Sequence, residues 1–252
     1  MNAIDTHGHA LASPRTGSRS GYVVPAEMRE IALSEILQQR GGEPLDQGQM
    51  DLRLGGDTIS EKHVFYAGNL SNASAPSVAI VGTRNVSHEG ASRARHLAKK
   101  LSRAGVGIVS GLAEGVDTEA LSEAIRCGGK VAAVIGTPLD KAYPAKNAKL
   151  QEEIYRNHLL ISQFPVGQKT YRSNFPERNR LMATITDATI VVEASDTSGT
   201  LHQSAECQRL GRWLFILKSV ADNPYLTWPD RFRHYDRCVI LERIDDVLER
   251  IL

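Results

Sequence analysis

The chain has 252 residues, 41% of them hydrophobic, with 30 Lys and Arg against 29 Asp and Glu, an ordinary composition for a globular core. The formal net charge of +1 leaves any basic surface to placement and not to bulk charge. Cys127, Cys207 and Cys238 lie far apart with no CxxC pair, which excludes a disulfide framework or a zinc site and suits a cytoplasmic protein; no apolar run nears the ~20 residues that span a bilayer.

Residues 1–24 are rich in Ser, Gly, His and Arg without periodicity, and are expected to form a disordered tail with no signal peptide. His7 and His9 on it read as solvated side chains, not metal ligands. Over 25–62 a helical extension and linker is expected. Met28, Ile31, Ala32 and Ile36 recur at helical spacing after Pro25 and stop at Gly41-Gly42, and the polar, Gly-rich stretch 42–60 follows. Residues 63–252 then read as one α/β domain. Val64-Phe65-Tyr66-Ala67-Gly68 predicts a strand and turn. Short apolar runs follow at 78–82, 107–111, 131–136, 159–162, 189–193 and 213–217.

Helical segments alternate with these runs. In 88–105 Ala91, Ala94, Leu97, Ala98 and Leu101 form one stripe, stopped at Gly105. In 117–127 Asp117 is the expected N-cap, with Ala120, Leu121, Ala124 and Ile125 facing inward. Alternating helices and continuously apolar strands imply a parallel sheet covered on both faces.

In such a sheet ligands collect at the C-terminal strand ends. Those ends carry Gly82-Thr83-Arg84, the loop from Ser110 and Gly111 to Gly115 and Asp117, then Gly136-Thr137-Pro138, and lastly Ser198-Gly199-Thr200. Glycine allows close backbone approach, and helix N-termini aim free N–H groups at an anion. Each loop alone is equally a tight βα turn; several in one sheet favour phosphate. The P-loop and the GxGxxG fingerprint are both absent, and no nucleophile–base constellation or paired carboxylates stand out. A binding protein without cofactor, metal or catalytic residue is expected.

In Asn174-Phe175-Pro176-Glu177-Arg178-Asn179-Arg180 a helix is expected after Pro176. Arg178 and Arg180 flank Asn179 as a phosphate clamp, and Phe175 is placed to stack a base. Upstream, Lys169, Tyr171 and Arg172 extend the basic and aromatic mix. The competing reading pairs the arginines with Glu177 or Asp187 and puts Phe175 in the core.

Together and in this order these stretches resemble the DprA/Smf family. The resemblance covers about 64–220 and includes Asp140-Lys141-Ala142-Tyr143-Pro144 and Gly211-Arg212. It implies a Rossmann-like domain that binds single-stranded DNA and loads a RecA-type recombinase during recombination or DNA uptake (competence), acting as a homodimer. Its DNA pocket maps onto Arg84, Phe175, Arg178 and Arg180, with Arg172 at a commonly basic position. The sequence departs from the family at Ala120-Leu121, Ser162-Gln163 and Lys218-Ser219, where Ala-His, Ser-Glu and Pro-Gly are usual. One probable N-terminal helix stands in place of the family's helical domain, and no winged-helix domain is expected to follow. The fold also resembles the lysine-decarboxylase-like LOG group, whose members imply two alternatives: a sensor of nucleotide derivatives, and a nucleotide phosphoribohydrolase. The hydrolase ranks last, because Gln203 stands where that group has its glutamate. Glu206 falls one turn further along, on another helix face, as a solvated residue or a partner of Arg209 or Arg212.

Overall fold

The apolar runs are too short for helices and too continuous for a half-exposed sheet, and they become the centre of a nine-stranded one. The computed structural model describes residues 21–252. In chain order the elements begin with β1 (Arg29–Ala32), α1 (Leu33–Arg40), α2 (Gln47–Met50), β2 (Arg53–Leu54), β3 (Asp57–Thr58) and β4 (His63–Gly68). Then come β5 (Ser77–Gly82), α3 (His88–Arg103), β6 (Gly107–Ser110), α4 (Val116–Arg126), β7 (Val131–Ile135), α5 (Ala148–Asn157) and β8 (Leu159–Ser162). The last are α6 (Asn174–Thr184), β9 (Ala188–Glu193), α7 (Thr200–Arg209), β10 (Trp213–Leu217), α8 (Lys218–Ala221), β11 (Cys238–Leu241) and α9 (Asp245–Ile251).

The sheet order is β1-β4-β8-β7-β6-β5-β9-β10-β11. From β8 to β11 every pairing is parallel, while β4 pairs antiparallel with β8 and β1 antiparallel with β4. The fold is therefore Rossmann-like with helices on both faces, but the sheet is mixed where an all-parallel one is expected.

Alternation along β5 shows how the layers are made. Val78 and Ile80 point into one core with α3, α4 and α5, whereas Ala79 and Val81 point into the other with α1, α6 and α7. The chain builds β5, β6, β7 and β8 outward in one direction, then returns to lay β9 on the other side of β5. That reversal opens a crevice above the C-terminal ends of β5 and β9, the place where sheets of this class bind ligands.

The segment before β4 differs from its expected form. Residues 28–32 do not join the helix: Arg29–Ala32 run as β1 along β4, and only Leu33–Arg40 is helical. Spacing of three and four over so few residues does not separate strand from helix, and the open edge of β4 decides between them. The expected linker is packed, with Leu54 and Ile59 both fully buried. The part of the expected tail at 21–24 is packed too: Tyr22 Oη donates to Leu139 O at 3.0 Å, and Tyr155 Oη donates to Val23 O at 2.9 Å. The remainder, with His7 and His9, lies outside the described residues.

A buried ion pair joins α1 to the sheet. Arg40 Nη2 donates to Asp187 Oδ2 at 2.6 Å with its side chain 1% exposed, and the same carboxylate oxygen accepts from Ser77 N–H at 2.9 Å. A helix end, the start of β5 and the approach to β9 thus share one carboxylate. Removing one member of a buried pair strands the other charge. Arg40→Ala is expected to lower the unfolding free energy by about 3–5 kcal/mol in urea titrations. A loss under about 1 kcal/mol would mean that the pair behaves as if solvent-exposed.

Candidate nucleic-acid interface

Three loops and the start of α6 meet above the β5/β9 crevice. After β5 the register slips between Val81 and Gly82, and Thr83 N–H donates to Glu193 O at 2.7 Å. Glu193 is itself engaged: Ser87 N–H and Oγ donate to its carboxylate at 3.1 and 2.7 Å, while Ser87 Oγ caps α3 by accepting from Gly90 N–H at 2.9 Å. The loop is pinned at both ends, and Arg84 projects from it, exposed and without an ion pair or side-chain hydrogen bond among the described residues.

The second loop is held from inside. Asp117 is not the N-cap of α4, a position taken by Gly115; it lies within the first turn, buried, and its carboxylate accepts from Gly111 N–H at 3.0 Å and Ala113 N–H at 3.3 Å. Leu112 between them adopts φ 58°, the left-handed region that β-carbon sterics disfavour. Asn147 Nδ2 stabilises this bend by donating to Leu112 O at 3.0 Å. Gly115, at φ 77°, is where the chain turns back under the Thr83 carbonyl, leaving no room for a side chain.

Helix α6 supplies the third part. It begins at Asn174, three residues before the expected start, because Pro176 sits in the first turn, where no backbone N–H is needed. Arg178 enters the interior. Its Nη1 donates to the carbonyls of Gly111 and, at 2.8 Å, Val134, and its Nε donates to Asn179 Oδ1 at 2.9 Å. A methyl group on Gly111 would overlap the guanidinium. Burial lowers the pKa of this guanidinium, against the opposing field of Asp117, and burial likewise raises the Asp117 carboxyl above its ordinary range.

The expected Arg178/Arg180 clamp is therefore absent. Residues two apart on a helix point to different sides: Arg180 turns toward α7, its Nε 3.9 Å from Glu206 Oε2. Neither expected partner holds Arg178, since Asp187 belongs to Arg40 and Glu177 accepts from Gln163 Nε2 at 3.4 Å. Phe175 is not core. It lies half-buried on the face of Gly136, with the Tyr143 ring 5.3 Å away and the Arg84 guanidinium 5.6 Å from its centroid.

The result is a cleft of about 370 Å³ whose walls include Gly82, Thr83, Arg84, Phe175, Arg178, Asn179, Ser198, Gly199 and Thr200. A smaller hollow of about 190 Å³ shares Arg84, Phe175 and Arg178 with it and adds Gly111 and Tyr143. Nine of the expected site residues thus border one space. Four do not reach either hollow: Ser110 is buried, its Oγ donating to Ile80 O at 2.7 Å; Gly115 serves the turn; Arg172 is exposed elsewhere; and Arg180 faces α7. Asn179 bridges, since its Nδ2 donates to Gly199 O at 3.2 Å.

Sequence reasoning missed Tyr143, which is 49% exposed over the smaller hollow, and His202 in the larger one. Tyr143 stood in a stretch already noted for its resemblance; His202 carried no signal beyond its distance from Gly199. Gln203 is fully buried at the cleft floor, its Nε2 donating to Thr189 Oγ1 at 3.0 Å. Of the two expected roles for Glu206, solvated residue or partner of Arg209 or Arg212, the pairing with Arg209 is the one found. Glu206 is buried beneath Arg209, to which it is ion-paired, and does not border the cleft.

The profile of the family described as DNA recombination-mediator protein A matches residues 59–251. The chain is 39% identical to the protein Smf of Synechocystis over 228 residues, covering 88% of this chain and 56% of that protein. It is 41% identical to the DNA processing protein DprA of Streptococcus pneumoniae over 154 residues, covering 61% of this chain and 54% of that protein. The chain thus spans about half the length of the curated relatives it matches. Among solved structures, DNA processing protein A of Streptococcus pneumoniae superposes with a TM-score of 0.69 at 31% identity, over 87% of this chain and 77% of that one. DNA processing protein A of Helicobacter pylori, described for its single-stranded DNA binding mode, superposes with a TM-score of 0.68 at 25% identity, over 83% of this chain and 94% of that one.

Arg84 and Arg178 make opposite demands on stability. Arg178→Ala orphans two buried carbonyls and is expected to cost about 3 kcal/mol, while Arg84→Ala is expected to stay within about 0.5 kcal/mol, both from chemical denaturation. Equal losses in the two variants would contradict this division between an internal brace and an exposed ligand-facing group.

Proposed function

The chain belongs to the DNA recombination-mediator protein A family, and on that premise we propose that it binds single-stranded DNA at the β5/β9 crevice. The observation that carries this reading is Arg84, a guanidinium without an ion pair among the described residues, held over the ring of Phe175 at the strand-order reversal. A cation for the backbone beside an aromatic face for a base is the pairing that single-strand sites use. Thr83, Ser198 and Gly199 add polar groups along the same wall. Arg178 and Asn179 act by holding the loops, and Tyr143 extends the stacking surface.

In this reading the protein serves recombination or DNA uptake, passes its strand to a RecA-type recombinase, and works as a homodimer in the cytoplasm. The three free thiols suit a reducing compartment. Among the described residues strand β11 ends the sheet without a second neighbour, the kind of edge through which copies associate. Among the described residues no helix is long and apolar enough to cross a membrane.

Binding should favour oligo-dT over duplex and weaken as salt rises, because few phosphate contacts and no groove-reading helix are involved. Arg84→Ala is expected to weaken oligo-dT binding by about 1–3 kcal/mol in fluorescence anisotropy. Arg84→Lys, which keeps the charge but loses the fork, should fall between the two. Equal affinity for duplex, or an unaffected Arg84→Ala variant, would overturn the reading. Competition by mononucleotides as strong as by oligo-dT would instead favour the nucleotide-derivative sensor.

We also assign no base-releasing activity. Cleaving a base–ribose bond runs through an oxocarbenium-like state that calls for a carboxylate at the anomeric carbon. The amide of Gln203 carries no charge, and Glu206 is held away by Arg209. Pure protein with AMP should release no adenine above the uncatalysed rate. Release that disappears in Glu206→Gln would restore the enzyme.

A further inference from the structure

We propose that the strand bound at Arg84 continues past the crevice into a second, basic groove between α3 and α9, lined by Arg93 and Lys100. This rests on the reading that the crevice holds single-stranded DNA. The path is continuous in the structure. The crevice shares Thr83, Asn85 and Ser195 with a neighbouring hollow of about 500 Å³ at the C-terminal end of β9. That hollow shares Arg93 and Ser219 with a groove of about 870 Å³ running down between α3 and α9.

The lining changes character along the way. In the middle hollow the one carboxylate, Glu193, is spent on Ser87, which leaves Asn85, Ser195 and Asn223 as neutral polar groups. In the groove, Arg93, His96 and Lys100 come from one helix at spacings of three and four, so they form a single ladder on α3. From Arg93 to Lys100 the ladder rises about 10 Å, roughly three nucleotides of a stacked strand. The opposite wall carries Lys218 and Arg243.

Charge decides what the groove suits. Lys218 is 2.8 Å from Glu242, and Arg243 is 3.5 Å from Asp245; these pairs cancel one wall. Arg93 and Lys100 are exposed and have no ion-pair partner among the described residues. Four cations face two carboxylates, so the ladder on α3 is an uncompensated positive edge aligned with the exit from the crevice. A polyanion threaded from the crevice passes one carboxylate, Glu193, held by Ser87, before it meets this edge. The ladder carries no Phe, Tyr or Trp ring, so it follows the sugar–phosphate backbone and adds length-dependent affinity without base preference.

The test compares two oligo-dT lengths, about 5 nucleotides for the crevice alone and about 20 for crevice plus groove, in the full chain. Arg93→Ala with Lys100→Ala should leave the short oligomer's affinity unchanged and weaken the long one about tenfold. The slope of log affinity against log salt for the long oligomer should drop by about 1.4, for two single-strand contacts. Arg93→Glu with Lys100→Glu should deepen the loss for the long oligomer only. If the alanine variant binds the long oligomer with wild-type affinity and salt slope, the groove does not hold DNA, and an acidic protein segment becomes the better occupant. If Arg84→Ala leaves the short oligomer's affinity unchanged, the crevice reading itself fails, whatever the groove variants show.

Discussion

A guanidinium inside a protein must find acceptors for its donors, and in this fold Arg178 finds them in the carbonyls of Gly111 and Val134. Those carbonyls lie where β6 and β7 give way to loops, so one side chain from α6 fixes the helix against two strand ends. Much else near the crevice follows from that choice. Residue 111 must lack a β-carbon, Asp117 must lie close enough to offset a buried cation, and Asn179 is left to bridge to Gly199. Phe175, one turn before Arg178 on the same helix, is thereby laid against Gly136 with its ring toward Arg84. The arginine does its part by staying out of solvent.

The ion pair of Arg40 and Asp187 acts similarly on the other side of the sheet. It ties the segment before β4 to the beginning of β5 and to the approach to β9, the two strands between which the sheet order reverses. The two buried cations therefore support different strand pairs, Arg40 at the N-terminal ends of β5 and β9 and Arg178 at the C-terminal ends of β6 and β7. A surface site made of loops needs such bracing, since loops carry little packing of their own. The strained backbone at Leu112 is affordable only because Asn147 and Asp117 hold its flanks.

The exposed groups divide cleanly from these braces. Arg84 and Tyr143 face the site from two separate loops, and neither side chain is part of the internal network. The interior of the cleft holds one carboxylate, Asp117, and the Arg178 guanidinium whose charge it offsets, while Gln203 is turned to Thr189 and the nearest glutamate on α7 is held by Arg209. A free guanidinium at the rim, over interior charges already engaged with the backbone, suits holding an anion better than attacking a bond.

Much of this was legible in the residues themselves. The six later apolar runs became strands, because a buried parallel strand needs unbroken apolar side chains on both faces and few other segments show them. The loops at their ends, and the box around Phe175, marked the crevice before any coordinate did, since a parallel sheet offers ligands only one end. Even the failure of the Arg178/Arg180 clamp was implicit in their spacing, because two residues on a helix are about 200° apart. What only the tertiary structure decided was which way each polar group turned. Ser110 and Arg178 look like ligand groups in the chain, yet carbonyls from distant strands claim them. Residues 28–32 have a spacing that fits a helix, yet the open edge of β4 draws Arg29–Ala32 out as a strand. Hydrogen-bond satisfaction and edge pairing depend on partners far away in sequence, and no local pattern records where those partners will be.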